Sequence, residues 1–125
     1  LKANRAVAAA AKPGMTTKDL NDLTKDILGE GLVEMGLIEK KEEVGKYYMH
    51  GVSHPIGIDV HDISLAGDRL QPGWIISDEP GLYIDEEAIG IRIEDDLLIT
   101  EDGCEVLSAA IIREPDEIEA FMADR

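Results

Sequence analysis

Apolar positions along the 125-residue chain change period once, near Tyr47. Before it the spacing is helical. Ala3 to Lys12 is alanine-rich, which favours helix, and Lys12-Pro13-Gly14 ends the run. Leu20, Leu23, Ile27, Leu28, Leu32 and Met35 then form an apolar stripe, with Lys18, Asp22, Lys25 and Glu30 off it. That spacing predicts an amphipathic helix packed on a core. Thr16 or Thr17 caps its start, with Asp19 completing a capping box from Thr16, and its end falls near Gly36. Glu39 to Lys46 reads as a charged loop. After Tyr47 the pattern is one of strands and turns. Trp74 to Ser77 is a β-branched and aromatic run behind the turn signal Gln71-Pro72-Gly73. Gly90 to Thr100 is a second strand run with an irregularity expected at Asp95-Asp96. Glu101-Asp102-Gly103 turns it back on Cys104 to Leu107 as a hairpin. Pro115 opens a last short helix through Ile118, Phe121 and Met122. The sum is an α+β chain: two helices, a curved antiparallel sheet with helices on one face, then a helix. No repeat or linker divides it, so residues 1–125 are expected to form one unit.

Composition narrows the partners. The net charge of −15 comes from 27 acidic and 12 basic residues. Nucleic acid and anionic membrane surfaces need a positive field, so neither is expected as a partner. No apolar run approaches the roughly 20 residues of a membrane helix, and no leader is visible. With aromatics at 4%, Leu, Ile, Val and Ala must do most of the packing. The single cysteine, Cys104, excludes an intramolecular disulfide and fits a reducing compartment, so the expected location is cytoplasmic. The chain opens on Leu1-Lys2, already reading as helix interior, and its start is expected further upstream.

All three histidines lie in one stretch, His50 to Asp62, among carboxylates and glycines. Histidine is the commonest metal ligand and the usual acid–base group near neutral pH. His54 precedes Pro55 and Glu79 precedes Pro80, and a residue before proline is held in extended backbone. In a strand, Gly90, Arg92 and Glu94 share one face and Ile91 and Ile93 the other. If the isoleucines meet the helices, the arginine and the carboxylate line the opposite side, roughly 6–7 Å apart. Taken singly, these residues read as a salt bridge, a turn carboxylate and a loop histidine. Together His54, Glu79 and Glu94 offer one imidazole and two carboxylates, a set that suits Mn²⁺ and also Zn²⁺ or Co²⁺. His50 and His61 are weaker ligand candidates. His54 and His61 are seven residues apart, which on a regular strand means opposite faces; either a bulge near Gly57 intervenes or their roles differ, for instance contact with substrate.

Three segments in this order resemble the metal-dependent pita-bread peptidases, and within them aminopeptidase P, the Xaa-Pro aminopeptidases. They are Tyr47-Tyr48-Met49 running into the histidine stretch, Glu79-Pro80-Gly81-Leu82-Tyr83, and Gly90 to Asp96 with Ile99-Thr100. The resemblance implies half of a pita-bread fold, the C-terminal part of a catalytic domain, with helices on the outer face of the sheet. It implies a two-metal centre, usually manganese, that hydrolyses the bond before proline in peptides with proline second. His54, Glu79 and Glu94 match metal ligands, Glu79 also the acid–base carboxylate, His50 and His61 substrate-side histidines, and Arg92 a supporting arginine. Two aspartate ligands of the family have no match here, so the 125 residues alone are expected to be inactive and to associate as homo-oligomers. Asp78 stands where the family usually has an apolar residue, a further carboxylate expected beside Glu79. Pro55 replaces a glycine or a bulky residue. Prolidase and a non-catalytic peptide-binding module are the alternative readings.

Overall fold

The computed structural model describes residues 1–65 and 67–123. Helix α1 (Lys2–Ala10) buries Ala3, Asn4 and Val7, and Ala11 just beyond its end. These positions fall on one stripe of a 3.6-residue period. Helix α2 (Thr17–Glu34) starts with the expected capping box: Thr16 Oγ1 accepts the Asp19 N–H at 3.1 Å, and the Asp19 carboxylate accepts the Thr16 N–H at 2.8 Å. Its end is fixed by Gly36, at φ +72°. The Gly36 N–H donates to Val33 O and the Leu37 N–H to Leu32 O, both at 3.0 Å, the paired closure that a left-handed residue after a helix makes possible. Of the predicted stripe, Leu20 and Leu32 are fully buried, while Met35 is exposed.

The stretch expected to be a charged loop contains a 3-10 helix, Lys41–Lys46. Its buried Val44 pins it to the core. The Glu43 carboxylate accepts the N–H groups of Glu39 and Lys40 at 2.9 and 3.3 Å. Charge dominates the composition there, but one apolar anchor and one capping carboxylate decide the conformation.

Strands β1 (Pro55–Ile56), β2 (Ile75–Asp78), β5 (Asp95–Ile99) and β6 (Cys104–Val106) form an antiparallel sheet in the order β1-β2-β5-β6. β3 (Gly81–Ile84) and β4 (Ile89–Arg92) form a separate hairpin between β2 and β5. Helix α3 spans Pro115–Ala123. The register is the same on either side of the interruption: Asp78 pairs with Asp95, and Gly81 with Arg92. Carried across, it sets Pro80 opposite Ile93 and Glu79 opposite Glu94. The Ile93 N–H donates to Pro80 O at 3.3 Å, but proline has no N–H to return the bond. The ribbon therefore breaks at Ile93-Glu94, not at Asp95-Asp96 as the sequence suggested.

Along this ribbon the faces alternate. Ile76, Leu97 and Ile99 are fully buried and pack with Val7, Ala11, Leu20, Val52 and Leu70 into one core cluster. A second cluster joins Leu32, Ile38, Val44, Tyr47 and Tyr48 under the β3 residues Leu82 and Ile84. Ile89, Ile91 and Ile93 lie on the helix side too, around an apolar cleft of about 230 Å³ shared with Ala3 and Leu28. The other face carries Ser77, Glu79, Tyr83, Arg92 and Glu94.

Candidate metal centre

The histidine stretch runs beside β2 and is bonded to it. The Ser77 N–H donates to His54 O at 2.9 Å and the Glu79 N–H to Val52 O at 2.8 Å. After β1 the chain reverses: the Gly57 N–H donates to Asp59 O at 3.1 Å and the Asp62 N–H to Pro55 O at 3.0 Å. A Cβ on residue 57 would stand 1.7 Å from Asp62 Oδ2, so glycine lets the Asp62 carboxylate lie against the backbone at the reversal. The reversal brings the His61 ring edge-on to His54, with centroids 4.1 Å apart. A loop, and no bulged strand, puts the two histidines together.

His54 Nδ1 lies 3.0 Å from Pro55 O and Nε2 lies 3.1 Å from Glu79 Oε1. Nδ1 donates to the carbonyl, which turns the Nε2 position onto a carboxylate oxygen. In neutral imidazole that position is a lone pair. Two electron-pair donors so placed call for a proton or a cation between them. An imidazole held by a carbonyl through its other nitrogen is the usual posture of a histidine ligand. Glu79 is largely buried, 12% exposed; Arg92 Nη1 lies 3.5 Å from its Oε2. Ser77 Oγ donates to its Oε1 at 3.1 Å.

Glu94 is exposed. Among the described residues no group of three or more His, Cys, Asp and Glu side chains is gathered closely enough to hold a metal ion; the gathered donors are His54 and Glu79. The backbone nevertheless favours a third. The Glu79 N–H points toward Val52, away from the ribbon partner, and the register carried across the break sets Glu94 opposite it. Like charges set opposite each other across a ribbon repel. A cation between them would relieve that repulsion, so the donor set fits a divalent ion.

His50 sits apart from this pair. Its Nδ1 lies 2.8 Å from Gly51 O, and its Nε2 is 2.9 Å from the Tyr83 hydroxyl. Tyr48 meets its ring edge-on and donates its own hydroxyl to Asn21 Oδ1 at 2.8 Å. Burial, then the charge of Glu79, raises the Tyr48 hydroxyl far above its ordinary value, so it stays protonated.

Asp78 is not beside the Glu79 carboxylate. Strand alternation turns it to the helix side, where it is fully buried. Asn4 Nδ2 donates to Asp78 Oδ2 at 3.1 Å and to Asp95 Oδ2 at 3.0 Å. Arg113 closes on Asp95 at 2.9 Å. Burial first, and the charge of Asp95 second, push Asp78 up to about 8. Sequence reasoning passed over Ser77 and Asn4. Ser77 was findable, since it stands two residues before Glu79 and shares its face. Asn4 carries no local signal, because both its partners are distant in sequence.

The profile of metallopeptidase family M24 matches residues 1–101. Xaa-Pro aminopeptidase 1 of Streptomyces coelicolor is 40% identical over 143 residues, covering 97% of this chain and 29% of its own length. A solved Bacillus anthracis protein, provisionally named an aminopeptidase P, superposes with a TM-score of 0.94 at 50% identity, covering 98% of this chain and 30% of that one. Escherichia coli aminopeptidase P, solved with the inhibitor Pro-Leu, gives 0.90 at 35% identity, over 98% of this chain and 32% of that one. The chain thus spans about a third of the length of these relatives.

Proposed function

This chain belongs to metallopeptidase family M24, and from that premise we propose that it forms the C-terminal part of the catalytic domain of an Xaa-Pro aminopeptidase. Its fold is the expected α+β half of a pita-bread domain, shared with aminopeptidase P. The activity proposed for the whole protein is release of the N-terminal residue from peptides with proline second. One observation carries the reading: in a chain this similar to Xaa-Pro aminopeptidases, the His54 imidazole meets the Glu79 carboxylate at 3.1 Å.

His54, Glu79 and Glu94 would hold a divalent ion, proposed as Mn²⁺ with Zn²⁺ or Co²⁺ as substitutes. A second ion would take further donors from outside these 125 residues. Bound metal supplies an acidified water and a polarised scissile carbonyl. Glu79 takes up the proton of the attacking water and passes it to the leaving proline nitrogen. Arg92, with Nη1 3.5 Å from Glu79 Oε2, supports the carboxylate from the open side. His61, against His54, and His50, tied to Tyr83, stand on the substrate side and steady the carbonyl oxygen. A cytoplasmic homo-oligomer acting on peptides completes the proposal. Among the described residues no helix is long and apolar enough to cross a membrane.

The test is Glu79→Gln in the full natural chain, assayed on an Xaa-Pro peptide with metal content measured. An amide cannot take up the proton, and turnover is expected to fall by about 10²-fold or more. Turnover near that of the unaltered protein, with metal bound, overturns the assignment.

A further inference from the structure

We propose that Ser77 is a positioning residue that locks His54 and Glu79 into one metal-binding unit; the inference rests on the metal-centre reading above. Ser77 is fully buried. Its Oγ accepts the backbone N–H of His54 at 2.9 Å and lies 3.1 Å from Glu79 Oε1. The His54 N–H brings its own proton, so the single hydroxyl proton must go elsewhere. Two acceptors compete for it: Glu79 Oε1 at 3.1 Å and His54 O at 3.5 Å. The nearer one is also the charged one, and hydrogen bonds to ionised acceptors are the stronger kind. The hydroxyl is thus a one-way donor to Glu79.

The two oxygens of Glu79 are thereby made unequal. Oε1 is pinned by Ser77 and faces His54 Nε2, while Oε2 is left to the exposed side near Arg92. Pinning one oxygen fixes the carboxylate rotamer and leaves the other free for the proton. The same hydroxyl anchors the backbone of His54, so one atom ties the imidazole-bearing segment to the carboxylate-bearing strand. The neighbouring bonds from the Ser77 N–H to His54 O and from the Glu79 N–H to Val52 O fix the two segments but not the Glu79 side chain. Only the hydroxyl reaches both.

The experiment compares Ser77→Thr with Ser77→Val in the full natural chain. The two replacements have nearly the same shape and differ in the hydroxyl, so any packing disturbance is common to both. Mn²⁺ affinity is measured by calorimetry on the metal-stripped protein, with Glu79→Ala and unaltered protein alongside, and thermal unfolding without metal confirms that each variant is folded. Groups that orient a metal ligand are worth roughly 10–100-fold in affinity. Ser77→Val is expected to weaken Mn²⁺ binding by about ten-fold or more, and Ser77→Thr to stay within about three-fold of the unaltered protein, being a hydroxyl that keeps the ligand oriented. Equal binding by the two variants overturns the role of Ser77. If Glu79→Ala binds Mn²⁺ as the unaltered protein does, the metal-centre reading itself is wrong, which is a separate outcome.

Discussion

Asn4 does for the helix side of the ribbon what Ser77 does for the open side. Its single amide group reaches both Asp78 and Asp95 from a residue that is 1% exposed. Replacing it with alanine takes away the donor the two buried carboxyl groups share; Asp95 keeps Arg113 and Ser108, and Asp78 loses its amide partner. Asn4→Ala is expected to cost about 2 kcal/mol in urea unfolding, the usual scale for orphaning buried polar groups. The cost should depend on pH in a definite sense. Asp78 in the folded chain titrates near 8, above its ordinary value of 3.8, so its ionisation opposes folding. Its contribution worsens as pH rises from the ordinary carboxylate range toward 8. Well below pH 8 Asp78 is protonated in the folded chain and can itself act as a donor, so Asn4 matters less there. The Asn4→Ala penalty should therefore be larger at pH 8 than at pH 5; an equal penalty at both would show that the amide does not serve the ionised pair.

Among the elements, the legible ones carry their own signals. The start of α2 is written in Thr16 and Asp19, and its end in Gly36, all within a few residues of the feature they fix. The ribbon break was misplaced because its cause lies across the strand. Reading Gly90 to Thr100 alone draws attention to adjacent aspartates, whereas the missing donor belongs to Pro80 opposite Ile93. The face alternation that puts Arg92 and Glu94 opposite the isoleucines needed only the strand period and was legible. The placement of His61 was not, because it depends on the reversal at Gly57 closing against Asp62. Gly57→Ala should displace the Asp62 carboxylate and loosen that reversal modestly, since its Cβ would overlap this flexible side chain. Asp62→Ala removes the obstruction, so the double variant should recover much of what the single one loses. Thermal midpoints of the two single variants and the double test this coupling. Strict additivity would mean that the clash relaxes without moving the loop.

For the whole chain, sequence and fold leave one side short of cover. Ile89, Ile91, Ile111, Ile112 and Phe121 are each more than 40% exposed. Exposed apolar surface of this kind favours association, while a net charge of −15 opposes it. Salt screens the repulsion and leaves the apolar attraction. The isolated 125-residue chain is therefore expected to self-associate more at high salt than at low, to bind Mn²⁺ weakly, and to show no appreciable Xaa-Pro hydrolysis. Light scattering across a salt series and a peptide assay with excess Mn²⁺ check this. A monomer at every salt concentration, with full turnover, would show that these residues need nothing further.

The strict alternation from Ile75 to Glu79 also restricts how the gene can drift. A one-codon insertion or deletion between Trp74 and Ser77 would exchange the two sides of everything that follows it in β2. The carboxylate meant for the open side would be pressed against Val7 and Leu97, and Asp78 would be turned toward the His54 side. Length changes here are tolerable only in even steps, and even those slide Glu79 out of line with His54 and Glu94. The turn at Glu101-Asp102-Gly103 carries no such constraint. Natural length variation among descendants of this sequence should therefore gather at that turn and avoid the Trp74 to Glu79 segment.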